Sequence, residues 1–130
     1  MQILNPAEWA APKGYANGVV AQGRLVFVAG QIGWNAESRF DSDDLVDQAK
    51  QALLNIVRVL AEAGGRPEHL VRLTWYVIDK KDYVIRNGDL GKIYREVIGK
   101  HYPAMTLVQV AALLEDRAKI EIEATAVIPA

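Results

Sequence analysis

The chain has 130 residues, the size of one compact domain, and its 51 % hydrophobic and 24 % charged residues exclude a disordered chain. Fifteen Lys and Arg against sixteen Asp and Glu leave a formal charge of −1, and no segment gathers basic residues into the footprint that nucleic-acid phosphates require. With no cysteine, disulfides and thiolate chemistry are excluded, and the two histidines, His69 and His101, stand in no metal-binding spacing.

Residues Asn5 to Asn17, rich in Pro, Ala and Gly, read as an irregular arm. Val19–Ala21 and Leu25–Ala29 then read as two short strands joined in a hairpin through Gln22-Gly23-Arg24, where Gly23 supplies a positive φ. A break follows at Gly30-Gln31-Ile32-Gly33, whose glycines suit either a tight bend or a close approach of a ligand to the backbone.

From Asp43 to Ala63 the apolar residues Leu45, Ala49, Ala52, Leu53, Ile56, Val57 and Leu60 recur at helical spacing, predicting a long amphipathic helix. Ser42 or Asp41 is its expected cap, and Gly64-Gly65 before Pro67 its stop. His69 to Ile78 alternates, with Val71, Leu73, Trp75 and Val77 expected on one strand face and Arg72, Thr74 and Tyr76 on the other. Asp82 caps a short turn in this reading, and Leu90 to Ile98 forms a second helix, ended by Gly99 and Tyr102-Pro103. Met105–Val110 and Ala118–Val127 complete the order ββαβαββ.

That order predicts an α+β domain over residues 1–130, a mixed sheet with two helices on one face. The other face is too apolar in part to be left in water, so a homo-oligomer is expected. No run of about 18 apolar residues and no secretory signal is present, which points to a cytoplasmic protein without a membrane partner. Neither phosphate-loop nor dinucleotide glycine patterns occur.

Gly14-Tyr15, Ala29-Gly30-Gln31-Ile32, Asn87, Tyr102-Pro103-Ala104 and Lys119-Ile120-Glu121-Ile122-Glu123-Ala124, in this order along the chain, resemble the RidA/YjgF family. The resemblance implies a chorismate-mutase-like fold, a homotrimer, and a small-molecule ligand in clefts between subunits. Enzymes of that family hydrolyse reactive enamines and imines to 2-oxo acids and ammonia without a cofactor. In them an Arg after Pro-Ala clamps the substrate carboxylate, and a Glu opening the Ile-Glu-Ile-Glu strand positions water. Here Met105 stands in place of that Arg, Leu107 where active members carry Cys, and Ala29 where many carry Ser.

Glu121 is therefore the candidate catalytic residue, and Tyr15, Gly30, Asn87, Met105 and Leu107 are the candidate ligand-binding residues. Each has a plainer alternative: a charged face for Glu121 with Glu123 and Lys119, a staple of the arm for Tyr15, an Asn-Gly turn for Asn87, and core or interface packing for Met105. Arg24, Arg72 and Arg117 are candidates to replace the lost clamp, whereas Trp9, Trp34 and Trp75 read as packing residues. Two functions follow from this reading: a deaminase of altered substrate preference, or a non-catalytic trimer that binds a metabolite or a partner.

Overall fold

The computed structural model describes all 130 residues. Strands β1 (Gln2–Leu4) and β2 (Gly18–Val20) form a small antiparallel pair, and β3 (Arg24–Ile32), β4 (Leu70–Val77), β5 (Ala104–Gln109) and β6 (Ile120–Ile128) form a four-stranded sheet in the order β3-β6-β4-β5. The β4–β5 pair is parallel and the other two are antiparallel, so the sheet is mixed. Three helices, α1 (Leu45–Glu62), α2 (Lys80–Ile85) and α3 (Asn87–Val97), connect the strands.

The predicted apolar stripe is the buried face of α1: Leu45, Ala49, Ala52, Leu53, Ile56 and Leu60 all enter the core. Facing them are Leu73, Trp75 and Val77 of β4 and Ile120, Ile122, Ala124 and Ala126 of β6. Burying each large aliphatic side chain stabilises the fold by about 1.5–3 kcal/mol, which is why this periodicity decides where the helix lies. No helix is long and apolar enough to cross a membrane.

Several local expectations are corrected. Val19 and its neighbours pair with β1, not with β3, because the arm doubles back and no β2–β3 hairpin forms. Gly23 does have a positive φ (149°), and a Cβ there would strike the Ile128 carbonyl. The Gly30 break is a bulge within β3, with the register shifting between Val28 and Gln31 and the strand continuing to Ile32. On β4, Leu70 and not Val71 belongs to the buried series, because a second register shift lies between Leu70 and Arg72.

The caps also move. Asp44 caps α1 by accepting from the Val46 and Asp47 amides, and Asp79, not Asp82, caps α2 in the same way. Asn87 opens α3 in place of the expected turn, and α2 is a helix additional to the two predicted. Gly64 takes the left-handed conformation (φ 77°) after α1, as expected. Among the tryptophans, Trp75 is buried and Trp34 packs on Phe40, but Trp9 is 59 % exposed and packs little.

One buried polar side chain belongs to the architecture. Gln48, on the core side of α1, donates to the carbonyls of Ser42 and Arg117 and accepts from the Lys119 amide. Gly33 lies against it so closely that a Cβ would overlap the glutamine side chain. Asn55, two turns further along α1, donates to the carbonyls of Ile32 and Trp34. Together they fix the end of β3 and with it the Gly30 bulge.

Candidate functional site

A cavity forms where the arm, β4, β5 and α3 meet. The Ala16 amide donates to the Pro103 carbonyl at 3.0 Å, and Ala16 pairs with Ala104 in a parallel bridge, so Gly14 and Tyr15 are held beside the start of β5. In the β4–β5 register Met105 stands next to Leu73 and Leu107 next to Trp75. Strand alternation therefore turns Met105 and Leu107 to the helix side of the sheet, where both pack against the core.

The space has two adjoining compartments of about 470 and 270 Å³. Lys13, Gly14, Trp75, Tyr83 and Met105 line both. Tyr15 and Leu107 line only the smaller, whereas Asn87, Gly91 and Arg95 of α3 lie only on the larger. No Asp or Glu lines either compartment.

Aromatic packing makes the inner wall. Tyr94 stacks on Tyr102 with ring centroids 5.5 Å apart, lies 6.2 Å from Trp75, and donates its hydroxyl to the His101 carbonyl at 2.6 Å. Burial pushes the Tyr94 and Tyr83 phenols above their ordinary value, so both remain neutral. The Trp75 Nε1–H is buried without an acceptor. Such a donor is costly to leave unpaired, at about 1–3 kcal/mol.

Of the predicted site residues, then, Tyr15, Asn87, Met105 and Leu107 come together. Gly30 and Glu121 also meet, but elsewhere. Glu121 pairs with Tyr76 across β6 and β4, on the sheet face opposite Trp75, and its carboxylate fills the space that a Cβ on Gly30 would need. Beside it the Tyr76 hydroxyl donates to Glu123 at 2.7 Å. That hydrogen bond, with burial and the charges of Glu123 and Glu121, raises the Tyr76 phenol above its ordinary value. Within one chain Glu121 and Met105 thus do not face one another. Tyr15, a candidate ligand-binding residue, borders the cavity of its own chain.

The three candidate replacement arginines are placed away from the cavity. Arg24 donates to the Ala63 carbonyl, Arg117 is paired with Asp43 and lies over the Phe40 ring, and Arg72 is on the open sheet face near Thr74 and Glu123. The cations at the cavity are Lys13 and Arg95, neither singled out from the sequence. A signal was present: Asn87, Gly91 and Arg95 recur every fourth residue and share one helix face. Lys13 directly precedes the Gly14-Tyr15 pair. No three His, Cys, Asp or Glu side chains gather as a metal site would require.

Residues 6–128 match the family described as Endoribonuclease L-PSP. The human 2-iminobutanoate/2-iminopropanoate deaminase is 30 % identical over 127 residues, covering 97 % of this chain and 89 % of that protein. Among solved structures, YyfB of Yersinia pestis, a conserved Rid-family protein of unknown function, superposes with a TM-score of 0.87 at 32 % identity over 98 % of both chains. The YjgF gene product of Escherichia coli gives a TM-score of 0.71 at 34 % identity over 91 % of each. With agreement in sequence and in fold along nearly its whole length, this chain belongs to the RidA/YjgF family.

Proposed function

We propose that the protein hydrolyses a reactive enamine or imine, without a cofactor, in a cleft that a second copy of the chain completes within a homotrimer. The observation that carries this reading is the grouping of Tyr15, Asn87, Met105 and Leu107 around one cavity, in a chain similar over 97 % of its length to a deaminase of 2-imino acids. Glu121, lying on the opposite sheet face, supplies the water-activating carboxylate to a neighbour's cavity in this scheme.

The chemistry asks little of the protein. An enamine first tautomerises to the imine. Water adds to the carbon of the C=N bond as the carboxylate carries a proton from that water to nitrogen. The resulting hydroxyl then gives its own proton, through the same carboxylate, to the amine as the C–N bond breaks and C=O forms, releasing a carbonyl compound and ammonia. Gly30 keeps the Glu121 carboxylate close to the backbone of the β3 bulge and prevents a side chain from covering it. Met105 offers no charge to a substrate carboxylate, and a charge-assisted hydrogen bond is worth about 1.5–3 kcal/mol, at least about tenfold in affinity. Short 2-imino acids that rely on a clamp at this position are therefore poor substrates.

Ammonia release from freshly generated enamines of several amino acids, corrected for their spontaneous hydrolysis, tests the proposal. Turnover that Glu121→Gln abolishes is the expected result; turnover unaffected by that change removes Glu121 from the scheme. One observation favours a second reading, a non-catalytic binding trimer: no carboxylate lines the cavity of a single chain. Binding without release of ammonia from any enamine would establish it.

A further inference from the structure

The cavity is asymmetric in charge as well as in shape. Tyr15 and Leu107 bound only its smaller end and Arg95 only its larger end, with Lys13 and Met105 bordering both. Neither cation is neutralised. The ion pairs of the chain engage Lys50, Arg58, Arg66, Arg86 and Arg117, and leave Lys13 and Arg95 without an acid. No acid stands three or four residues from Arg95 on α3, and the adjacent Glu96 is taken by Lys50. The guanidinium folds back along the helix, since a Cβ built on Gly91 would lie 3.3 Å from its Nη1.

A second feature of the same wall points the same way. The walls of the cavity bring together two cations and hold no carboxylate. In a chain whose formal charge is −1, this is a local excess of positive charge facing an open cleft, the complement of an anion.

We propose that Lys13 and Arg95 form a relocated anion anchor, and that the cavity takes an organic carboxylate carrying an aromatic or branched apolar body. The apolar part lies on Trp75, Met105 and Leu107, where a methionine sulfur and an indole favour an aromatic ring, while the carboxylate reaches the Lys13 and Arg95 end. The inference rests on reading this cavity as the ligand site and narrows its substrates to acids longer than the short 2-imino acids that an arginine at position 105 would hold.

The test is binding, measured by calorimetry, of 3-phenylpropanoate, its neutral isostere 3-phenylpropanamide and pyruvate. Phenylpropanoate binds more tightly than the other two. Lys13→Met and Arg95→Met each weaken it about fivefold, the upper range for an exposed ion pair, with no loss for the amide. Both side chains are exposed, so the melting temperature of the free variants stays that of the parent. Raising salt from about 50 to about 500 mM weakens carboxylate binding to the parent and leaves the double variant unaffected. Equal binding of acid and amide, or phenylpropanoate affinity unchanged in both variants, overturns the anchor. The deaminase reading fails separately: carboxylate binding without turnover of any enamine leaves the anchor standing, whereas turnover of a carboxylate-bearing enamine, with KM unchanged in the double variant, removes the anchor and keeps the deaminase.

Discussion

The two faces of the four-stranded sheet are built from alternate residues of the same strands and have opposite characters. On the helix side Leu73, Trp75, Val77, Ile120 and Ile122 meet α1 and α3 in a packed core, with the cavity at its margin. On the open side the intervening Thr74, Tyr76, Glu121 and Glu123 form a polar centre, bordered on β3 by Phe27 and Leu25, which are 75 % and 63 % exposed. The fold is complete on one face and unfinished on the other. β4 and β6 place the Glu121 carboxylate on one side and the cavity on the other, so the proposed scheme needs a second copy of the chain to bring the two together.

The largest expected difference lies in stability. Leu53→Ala, in the core under α1, should cost about 3 kcal/mol, the middle of the range for emptying a buried leucine site, measured as a shift of the denaturant midpoint with unchanged slope. Phe27→Asp should leave the far-ultraviolet circular dichroism intact and reduce the sedimenting mass from three chains to one, since a charge on the apolar margin of the open face opposes association. If Phe27→Asp instead unfolds the chain as Leu53→Ala does, the contrast between the faces is wrong. A parent that sediments as one chain at micromolar concentration removes the shared cleft.

Met105→Arg sharpens the comparison from the cavity side. An unpaired guanidinium packed against the core lowers the melting temperature of the free variant, and pyruvate or 2-oxobutyrate then raises it, by about 2.7 kcal/mol of stabilisation at a hundredfold excess over Kd. The parent shows much less of that rise, because its own cations stand elsewhere on the wall. Equal stabilisation of the two proteins would mean that position 105 does not touch the carboxylate.

Much of the helix side was legible in the sequence because a single physical cause, burial, controls it. The α1 stripe and the alternation on β6 have clean periods, and the strand at Leu73 to Val77 keeps its period once past the bulge. The errors fall where local chemistry competes with equivalent alternatives. Asp41, Ser42, Asp43 and Asp44 all have capping side chains, and only the tertiary placement of Arg86 beside Asp44 distinguishes the last of them. The β1–β2 pair depends on contacts across the arm that no short window contains. Tyr15, Asn87, Met105 and Leu107, picked out by motif order, do border the same cavity, but the side of the sheet on which Glu121 lies follows from its register with Tyr76. Lys13 and Arg95 were missed because the arm and α3 are brought to one place by long-range contacts to the segment before β5, the Ala16–Pro103 bond on one side and the packing of Tyr94 on Tyr102 on the other.

The smallest expected effect concerns what holds α3, and hence the cavity wall, independently of the open face. Asp44 caps α1 and also pairs with Arg86, one residue before α3, with Nη1 and Oδ1 2.6 Å apart. The Arg86 hydrogen bond, aided by the Asp47 and Val46 amides and opposed by burial, holds the Asp44 carboxyl below its ordinary 3.8. A carboxyl depressed in the folded state favours folding while ionised: its contribution is fully present above about pH 3.8 and is lost as pH falls through the lower folded value. Asp44→Ala should therefore cost about 1 kcal/mol at neutral pH, as removal of a helix cap usually does, and the gap from the parent should narrow as the solution is acidified below that point. Asp44→Asn keeps a capping oxygen and loses the charge, so its smaller deficit should vanish at low pH altogether. Neither change should alter the sedimenting mass. A deficit that stays constant down to the acid limb would show that the Arg86 pair contributes nothing and that capping alone fixes this corner, and a change of mass would tie the two faces together after all.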